Sequence, residues 1–200
     1  MAEIPKLFES LIPNCPARTV MSTRASDFDI NSPPLDGPLF RMQQTHSNHY
    51  RWVTGEYAMC PLDTDALMSS TPGHILALSF ADCLPVLLYH PTGVIAAIHA
   101  GRRGSLSGIT GRVLEQIRKN AGDLHGLKAY FGPSISGKRY QISTQLYYNM
   151  VAANTQQILT LAADAEIHYS PYCTYNNHDL FYSYRYGDLK ARNCCFIQLP

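Results

Sequence analysis

The chain has 200 residues, of which 46% are hydrophobic and 16% charged, a balance that predicts one globular domain over 1–200 and excludes a disordered protein. The formal net charge of +1, without a basic stripe, argues against nucleic-acid binding. The N-terminus lacks the features of a signal peptide, and no apolar run reaches the length of a membrane span. We therefore expect a cytoplasmic protein that does not bind membranes.

The first half of the chain predicts a lead-in, a loop and a series of strands. Residues 1–18 contain three prolines and predict an irregular lead-in, and the stretch 26–38, rich in proline and aspartate, predicts a surface loop. Apolar runs typical of strands follow at 39–45, 50–54, 66–69, 75–80, 84–89 and 94–99. Pro91-Thr92-Gly93 separates the last two runs, which predicts a turn and an antiparallel pair.

The second half predicts helices between further strands. Residues 105–120 place apolar side chains on one face of a helix that ends near Gly122, and 144–161 has a similar pattern. We expect strands at 128–132 and 194–199 and a short helix at 178–186. Cys194 and Cys195 are adjacent in the closing strand, so their thiols should be buried on opposite faces. Hairpins with intervening helices indicate the α+β class with a mixed sheet.

Cys83 and His99 stand beside or within two strongly apolar strands, where an aliphatic side chain would be usual. Buried polar groups are costly unless they are hydrogen-bonded or bind a ligand. His46 is a third candidate, and two imidazoles with one thiolate suit zinc and leave a fourth position open. From the residues alone, a histidine that ends a strand is more often a structural histidine than a metal ligand. We interpret His49 and His90 as surface residues.

Several short motifs occur in a fixed order from about residue 20 almost to the C-terminus. They are Ser22-Thr23-Arg24, Gln44-Thr45-His46, Thr64-Asp65-Ala66-Leu67, Ala81-Asp82-Cys83-Leu84-Pro85-Val86, His99-Ala100-Gly101 with Arg103-Gly104, Phe131-Gly132-Pro133-Ser134-Ile135 with Tyr140, Cys173-Thr174, and Phe181-Tyr182-Ser183-Tyr184-Arg185. Together they resemble the YfiH-like, or laccase-domain, family, once called multicopper polyphenol oxidases. The motifs around Cys83 and His99 are, taken together, the most specific.

The resemblance implies an α/β/β/α layered sandwich with mixed sheets and a site at one edge. It also implies zinc bound by His46, Cys83 and His99, and activity as a purine nucleoside phosphorylase, with adenosine deaminase activity as a second possibility. The expected partners are a small-molecule nucleoside and phosphate. The oligomeric state does not follow from the sequence.

Catalytic and anion-binding roles follow from the same motifs. Asp82 is a candidate catalytic carboxylate that either orients a metal ligand or caps backbone donors. Arg103 enters the predicted helix and could bind phosphate with its guanidinium, and it is therefore assigned both a catalytic and a phosphate-binding role. Arg24 and Arg185 are further candidates for binding an anion.

Aromatic side chains are candidates for binding the purine. Tyr140 is assigned to the substrate site, and Tyr175 and Tyr182 could also stack on a base. With 13 tyrosines in the chain, packing in the core is an equal alternative for any one of them.

The chain departs from the family pattern around the predicted substrate. Arg102 stands where tryptophan is usual, and no glycine-rich continuation follows Arg24. The segment between Arg24 and Gln43 is shorter than usual, and Lys190-Ala191-Arg192 replaces an expected Gly-Arg pair. The metal ligands are therefore retained while the substrate rim is altered.

Three alternatives to the phosphorylase remain open. His₂Cys is also the ligand set of blue copper, which allows a copper-dependent polyphenol oxidase, but eight mostly dispersed histidines argue against a multicopper centre. Cys83 and His99 could instead form a thiol hydrolase that edits peptidoglycan precursors. The third alternative is a non-catalytic zinc-binding domain that has lost its substrate rim.

Overall fold

Thirteen strands and three helices make up the regular structure of the residues that are described. A computed structural model describes residues 4–55 and 60–200, so the first three residues of the predicted lead-in lie outside it. In chain order the elements are β1 (Leu7–Glu9), β2 (Arg18–Ser22), β3 (Leu39–Phe40), β4 (Tyr50–Trp52), β5 (Ala66–Ser69), β6 (Ile75–Phe80), β7 (Leu84–His90), β8 (Val94–Ala100), α1 (Arg102–Leu106), α2 (Ile109–Ala121), β9 (Lys128–Phe131), β10 (Gln141–Ser143), β11 (Leu146–Tyr147), α3 (Met150–Leu161), β12 (Glu166–Tyr169) and β13 (Asn193–Gln198).

The strands form two large mixed sheets and one small ribbon. The five-stranded sheet has the order β1-β2-β13-β6-β3, the six-stranded sheet has the order β12-β9-β7-β8-β5-β4, and β10 pairs with β11. β7 and β8 are antiparallel, with Leu84 opposite Ala100 and His90 opposite Val94, which confirms the turn predicted at Pro91-Thr92-Gly93. This hairpin is central to the six-stranded sheet because β9 and β5 pair with its outer edges.

Alternating side chains divide the core into layers. In β7 and β8 one set of side chains, which includes Val86 and Ile98, packs against apolar residues of α2 and α3 such as Val113 and Ile158. The other set faces the five-stranded sheet and packs with its residues. That set and its partners include Leu87, Ile95, Ala97, Leu76, Leu78, Cys195 and Ile197. The order of layers is therefore helices, six-stranded sheet, five-stranded sheet.

The outer face of the five-stranded sheet is covered by the loop predicted at 26–38. Phe28, Ile30 and Leu35 of this loop pack over a cluster that includes Phe196 and Cys194. The mixed α+β class is confirmed, but here the fourth layer is this loop where the resemblance implies helices. Its three prolines, two of them adjacent, disfavour a helix.

The two neighbouring cysteines of β13 confirm the prediction that they face opposite sides. Cys194 packs in the outer cluster beneath the loop, and Cys195 packs between the sheets. Both thiols are buried and free. Burial raises the pKa of Cys194 to about 12, so this thiol stays protonated.

The predicted helices are shorter than the sequence patterns indicate. The stretch 105–120 is two helices rather than one, because Gly108 adopts a left-handed conformation with φ of 76° between α1 and α2. The pattern at 144–161 overstates α3, which begins only at Met150. Asn149 caps this helix by accepting a hydrogen bond from the Ala152 N–H at 3.0 Å.

The predicted short helix at 178–186 is wrong, because this segment forms turns. Two of its N–H groups donate to side chains that are distant in sequence: Tyr182 N–H donates to Asn193 and Arg185 N–H donates to Asp82. The expectation of an irregular lead-in is also incomplete, because β1 lies within it and pairs with β2. The strand β12 was not predicted. Within the described residues, no helix is long and apolar enough to cross a membrane.

Candidate metal centre and its cavity

Two neighbouring strands bring Cys83 and His99 together at one end of the six-stranded sheet. Cys83 immediately precedes β7, and His99 lies in β8 opposite Pro85. Both belong to the odd-numbered set of residues that faces the five-stranded sheet. His99 is buried and Cys83 is partly buried. The sheet register alone therefore places the thiol beside the imidazole.

His46 reaches the same point from the irregular loop that follows β3. This loop was predicted to continue the strand to residue 45, but β3 ends at Phe40. Gln44 explains the difference, because its side chain accepts a hydrogen bond from the Ser79 N–H and donates one to the Ser79 carbonyl. His46 then adopts a left-handed backbone with φ of 62°, a conformation that is uncommon for a residue with a side chain.

Asp65 holds this loop and one ring nitrogen of His99 at the same time. Its carboxylate accepts backbone hydrogen bonds from Thr45, His46 and Ser47, at 3.1, 3.1 and 2.7 Å. Ser47 Oγ also donates to it at 2.7 Å, and Nδ1 of His99 lies 2.7 Å from it. Asp65 is fully buried, so its charge depends on such donors. Asp65 belongs to one of the matched sequence motifs, but no role was predicted for it.

The charges at this site stabilise one another. Burial by itself would raise the pKa of Asp65, but hydrogen bonds from His99 and Ser47 outweigh it and lower this pKa well below its ordinary value. Burial would likewise raise the pKa of Cys83, but the nearby His99 and His46 lower it to about 6. Burial opposes protonation of His99, whereas the Cys83 thiolate and Asp65 raise its pKa to about 9. The arrangement therefore favours the thiolate over the thiol.

The trio fits a divalent metal ion on two observations. One ligand atom each from His46, Cys83 and His99 lies within 4.8 Å of the others. Nδ1 of His99 contacts Asp65, so Nε2 is the nitrogen left to bind a metal, which would displace the proton that the raised pKa keeps on this imidazole; a carboxylate on the far nitrogen is usual for histidines that bind metals. The backbone also approaches closely: a Cβ on Gly101 would lie 2.7 Å from Cδ2 of His46 and 3.1 Å from Sγ of Cys83.

A cavity of about 430 Å³ opens next to the trio, within the range of small-molecule sites. Tyr140, Tyr184, Arg185 and Arg192 are among its lining residues, as are the three candidate ligands. The guanidinium carbon of Arg185 lies 5.2 Å from the centre of the Tyr140 ring. Neither Tyr184 nor Arg192 was assigned to the site from the sequence. Arg192 does belong to the triplet that replaces the expected Gly-Arg pair.

Asp82 lines the same cavity and forms hydrogen bonds with two other segments of the chain. One carboxylate oxygen accepts a hydrogen bond from Thr174 Oγ1 at 2.6 Å, and the other accepts one from the Arg185 N–H at 2.8 Å. Of the two roles predicted for Asp82, these contacts match the capping of a backbone donor. They do not include a hydrogen bond to one of the three candidate metal ligands. The backbone of Arg185 is thereby held in place by the residue before Cys83.

Arg24 and Arg103 are not among the residues that line the cavity. Arg24 forms an ion pair with Asp188, donates to the Phe181 carbonyl and lies over the Tyr182 ring. Arg103 donates to the Thr45 carbonyl at 2.8 Å and so contacts the loop that carries His46. The helix that Arg103 enters, α1, has only five residues.

The remaining aromatic candidates also differ in position. Tyr140 lines the cavity, whereas Tyr175 packs against Tyr186 and Tyr182 packs against Arg24. Burial and the charge of Cys83 raise the pKa of Tyr140, and Arg102 and Arg185 oppose this rise. The charge of Arg102 is therefore close to Tyr140, which lines the cavity. Arg102 stands at the position where the family motif usually has tryptophan.

The two histidines interpreted as surface residues have different environments. His49 is exposed and pairs with Asp63. His90 is 2% exposed, so its interpretation as a surface residue is wrong. It lies at the end of β7 that is remote from Cys83, where the hairpin turn covers it.

Comparison of the sequence with known proteins identifies a family and several relatives. A family model described as multi-copper polyphenol oxidoreductase laccase matches residues 20–165. A purine nucleoside phosphorylase of Bacteroides thetaiotaomicron is 30% identical over 183 residues, which cover 74% of this chain and 68% of that protein. One of Mycobacterium tuberculosis H37Rv is 33% identical over 123 residues, or 61% of this chain and 49% of that protein. The match with this second relative thus spans about half of its length.

Solved structures share the fold. YlmD from Geobacillus stearothermophilus superposes with a TM-score of 0.82 at 20% identity, and the match covers 100% of this chain and 98% of YlmD. The Bacillus licheniformis protein YfiH has a TM-score of 0.79 at 21% identity and coverage of 92% and 93%. At these identities the likeness shows the fold alone. Because the family model matches most of its length, the chain belongs to the multi-copper polyphenol oxidoreductase laccase family, with a YfiH-like fold.

Proposed function

We infer that this chain is a zinc-dependent purine nucleoside phosphorylase. The observation that carries this inference is the cavity in which a His-Cys-His trio lies next to an arginine stacked on a tyrosine. The relatives named purine nucleoside phosphorylase support the reaction class.

Arg185 and Arg192 are proposed to bind phosphate. Phosphorolysis of a nucleoside requires phosphate beside C1′ of the ribose while positive charge develops on the sugar. Guanidinium groups bind phosphate with paired hydrogen bonds, and both arginines line the cavity. Nη1 of Arg192 donates to three backbone carbonyls, which leaves its Nε and Nη2 for an anion. Asp82 positions Arg185 by accepting its backbone N–H. In this proposal Asp82 acts through Arg185 and does not itself contact the substrate.

Tyr140 is proposed to contact the purine. Its ring lines the cavity, and one of its faces is already adjacent to the Arg185 guanidinium. An aromatic ring can stack on a flat purine base, and the cation next to it can bind the phosphate beside the nucleoside. The exposed ring of Tyr184 lines the same cavity and could contact the base from the rim.

Zinc is the metal proposed for His46, Cys83 and His99. The lowered pKa of Cys83 supports a thiolate at neutral pH, and imidazole with thiolate is a common zinc ligand set. When bound, zinc supplies Lewis-acid chemistry and lowers the pKa of water. Asp65 orients His99 by accepting the Nδ1 proton and fixes the loop of His46.

Adenosine deamination is a second candidate activity of the same cavity. The observation that favours it is that the trio offers three protein ligands, as in catalytic zinc sites that keep a fourth position open. Deamination releases ammonia and does not need phosphate, whereas phosphorolysis does. The dependence of the product on phosphate therefore separates the two activities.

The test is an assay of the zinc-loaded protein with adenosine and inosine, with and without phosphate, followed by separation of the products. We expect phosphate-dependent release of the free base and ribose 1-phosphate. Cys83→Ala should lose both zinc and activity, whereas Cys15→Ala, which removes a half-buried thiol from the core between the sheets, should keep both.

Three results would contradict the proposal in different ways. Full activity of Cys83→Ala would exclude the trio as the active metal site. Zinc binding without turnover of either nucleoside would favour a non-catalytic zinc domain. Hydrolysis of peptidoglycan precursors that persists without metal and requires Cys83 and His99 would favour the thiol hydrolase.

A further inference from the structure

His90 is a buried histidine with one ring nitrogen that has no hydrogen-bond partner among the described residues. Its side chain is 2% exposed, and Nδ1 lies 2.8 Å from Thr92 Oγ1. Nδ1 also accepts the Thr92 backbone N–H at 3.4 Å, so metal binding at Nε2 requires the other tautomer, in which Nδ1 donates to Thr92 Oγ1 and Nε2 keeps its lone pair. Buried polar atoms nearly always have a partner, so an unpaired imidazole nitrogen requires an explanation.

Nε2 of His90 is directed at a carboxylate and is accompanied by a second histidine. Oδ1 of Asp123 lies 3.7 Å from it, too far for a hydrogen bond. The backbone N–H of His125 donates to the same oxygen at 2.9 Å. The ring of His125 contacts Asp164 through Nδ1 at 2.7 Å, which leaves its Nε2 available.

Backbone packing keeps these groups close to one another. Asp123 and His125 lie in the loop between α2 and β9, and His90 ends β7 just before the hairpin turn. Gly126 in this loop has φ of 71°, and a Cβ there would lie 2.9 Å from Cγ of Pro91. The loop therefore lies directly against the turn that follows His90. The exposed side chains of Asp123 and His125 are free to adjust around this fixed contact.

The geometry points to a second metal site, for zinc or a similar divalent transition metal, formed by His90 Nε2, the Asp123 carboxylate and His125 Nε2. Two ligand atoms at zinc distances in a tetrahedron are about 3.4 Å apart, so the 3.7 Å separation of the first two needs only a small closure. Nε2 of His125 does not lie within 4.8 Å of both other ligand atoms, so His125 supplies the third ligand by rotating its exposed side chain away from Asp164, and water completes the coordination. All three ligands are nitrogen or oxygen, unlike the trio that contains Cys83.

This site is distinct from the cavity and does not depend on the proposed function. β7 runs from Leu84, next to Cys83, to His90, so the two sites are separated by about 20 Å of extended strand. A metal here would join the loop between α2 and β9 to the β7–β8 turn. We expect it to stabilise the fold rather than to contact a substrate.

Cobalt titration of the full chain distinguishes the two sites by their ligands. Binding at Cys83 produces a thiolate-to-cobalt charge-transfer band, whereas binding at His90 produces only the weaker visible bands of nitrogen and oxygen ligands. We expect the charge-transfer band to saturate at about one equivalent while the visible bands continue to grow to about two. Saturation of all bands together at one equivalent would overturn the proposal.

Variants at the exposed ligands keep the test independent of folding. Asp123→Ala and His125→Ala should each weaken the second binding event by tenfold or more while the charge-transfer band is unchanged. His90→Gln should abolish it. The matched control is His168→Ala, which also removes a histidine that pairs with a carboxylate, Glu166. Equal loss in the control, or no loss in Asp123→Ala and His125→Ala, would contradict the assignment.

A thermal-unfolding experiment provides a second readout. In Cys83→Ala, where only the second site remains, added zinc should raise the melting temperature, because a ligand that binds the native state alone stabilises it. The same addition to Cys83→Ala combined with His125→Ala should produce no such shift. A shift of equal size in both proteins would show that zinc binds elsewhere.

Discussion

The carboxylate of Asp65 lies 2.7 Å from Nδ1 of His99, and it also accepts the backbone N–H of His46. One buried residue is therefore linked to two of the three proposed zinc ligands. Through the ring it selects the tautomer of His99, and through the backbone it supports the left-handed conformation of His46. The third ligand, Cys83, is placed by the strand register instead.

Asp65→Asn should weaken zinc binding by about tenfold to a hundredfold, because an amide nitrogen cannot accept the hydrogen bonds that one carboxylate oxygen now receives. Ser47 and Thr45 both donate to Oδ2, so their buried donors would lose an acceptor. We also expect the free energy of unfolding of the metal-free protein to fall by about 1–3 kcal/mol. Zinc competition with a chelator and urea unfolding measure the two effects.

The control for this variant is Asp63→Asn, which changes an exposed carboxylate that contacts the same loop through Thr45. It should leave zinc affinity within about twofold of the original, since surface polar contacts contribute little. If both variants lost zinc equally, the effect would come from the loop in general rather than from Asp65.

Gly101→Ala should reduce zinc affinity although alanine fits the backbone at this position. The φ of Gly101 is −70°, which any residue adopts, but the added Cβ would meet Cδ2 of His46 at 2.7 Å. Such overpacking costs about 1–3 kcal/mol, and it is relieved only if His46 or Cys83 moves. Because both are proposed zinc ligands, we expect zinc to bind about tenfold more weakly. Gly111→Ala is the control, because its Cβ would meet nothing nearer than 3.7 Å. Equal zinc affinity in both variants would show that the close approach is unimportant.

The strands around the site were predictable because their signals are local. The apolar runs at 66–69 and 75–80 coincide with β5 and β6, and the turn after His90 fixes the β7–β8 pair. The loop of His46 was not predictable, because Gln44 pairs with Ser79 across 35 residues. A similar long-range contact between Asp82 and Arg185 prevents the helix predicted at 178–186.

The candidate ligands emerged from the sequence because polar residues stood in apolar strands, but their supporting residues did not. Asp65 directly precedes a buried strand and carried a visible signal of the same kind, an acidic residue before an apolar run. Arg24 and Arg103 looked alike as charged members of motifs. Only the fold shows that each is already bonded to the protein, at Asp188 and at Thr45.

Arg185→Ala should raise KM for phosphate by about tenfold or more, because the cavity loses a cation that faces the substrate. Arg24→Ala should instead lower stability with little change in KM, since its guanidinium is held by Asp188 and the Phe181 carbonyl. Initial rates at varied phosphate and urea unfolding of both variants measure this contrast. An unchanged KM for phosphate in Arg185→Ala would remove Arg185 from the proposed phosphate site.

Arg103→Ala separates a phosphate-binding role from a positioning role. If Arg103 binds phosphate, its loss raises KM for phosphate more than KM for the nucleoside. Its hydrogen bond to the Thr45 carbonyl leads us to expect weaker zinc binding with KM for phosphate nearly unchanged. Arg118→Ala, an exposed arginine of α2, is the control for the loss of surface charge. A selective rise in KM for phosphate would restore the phosphate-binding assignment.

The identity of the working metal decides between the phosphorylase and the oxidase that the family's name describes. Copper binds such ligands more tightly than zinc in general, so copper binding in vitro does not by itself identify the working metal. A blue-copper site also needs a weak axial donor such as methionine; the matched metal motifs contain none, and the methionine that lines the cavity, Met150, comes from α3. We expect the zinc form to be colourless and to cleave a purine nucleoside, and the copper form to oxidise phenols inefficiently. Parallel assays of both metal forms with adenosine plus phosphate and with a phenolic substrate test this. Rapid phenol oxidation by the copper form, together with an inactive zinc form, would overturn the phosphorylase in favour of the oxidase.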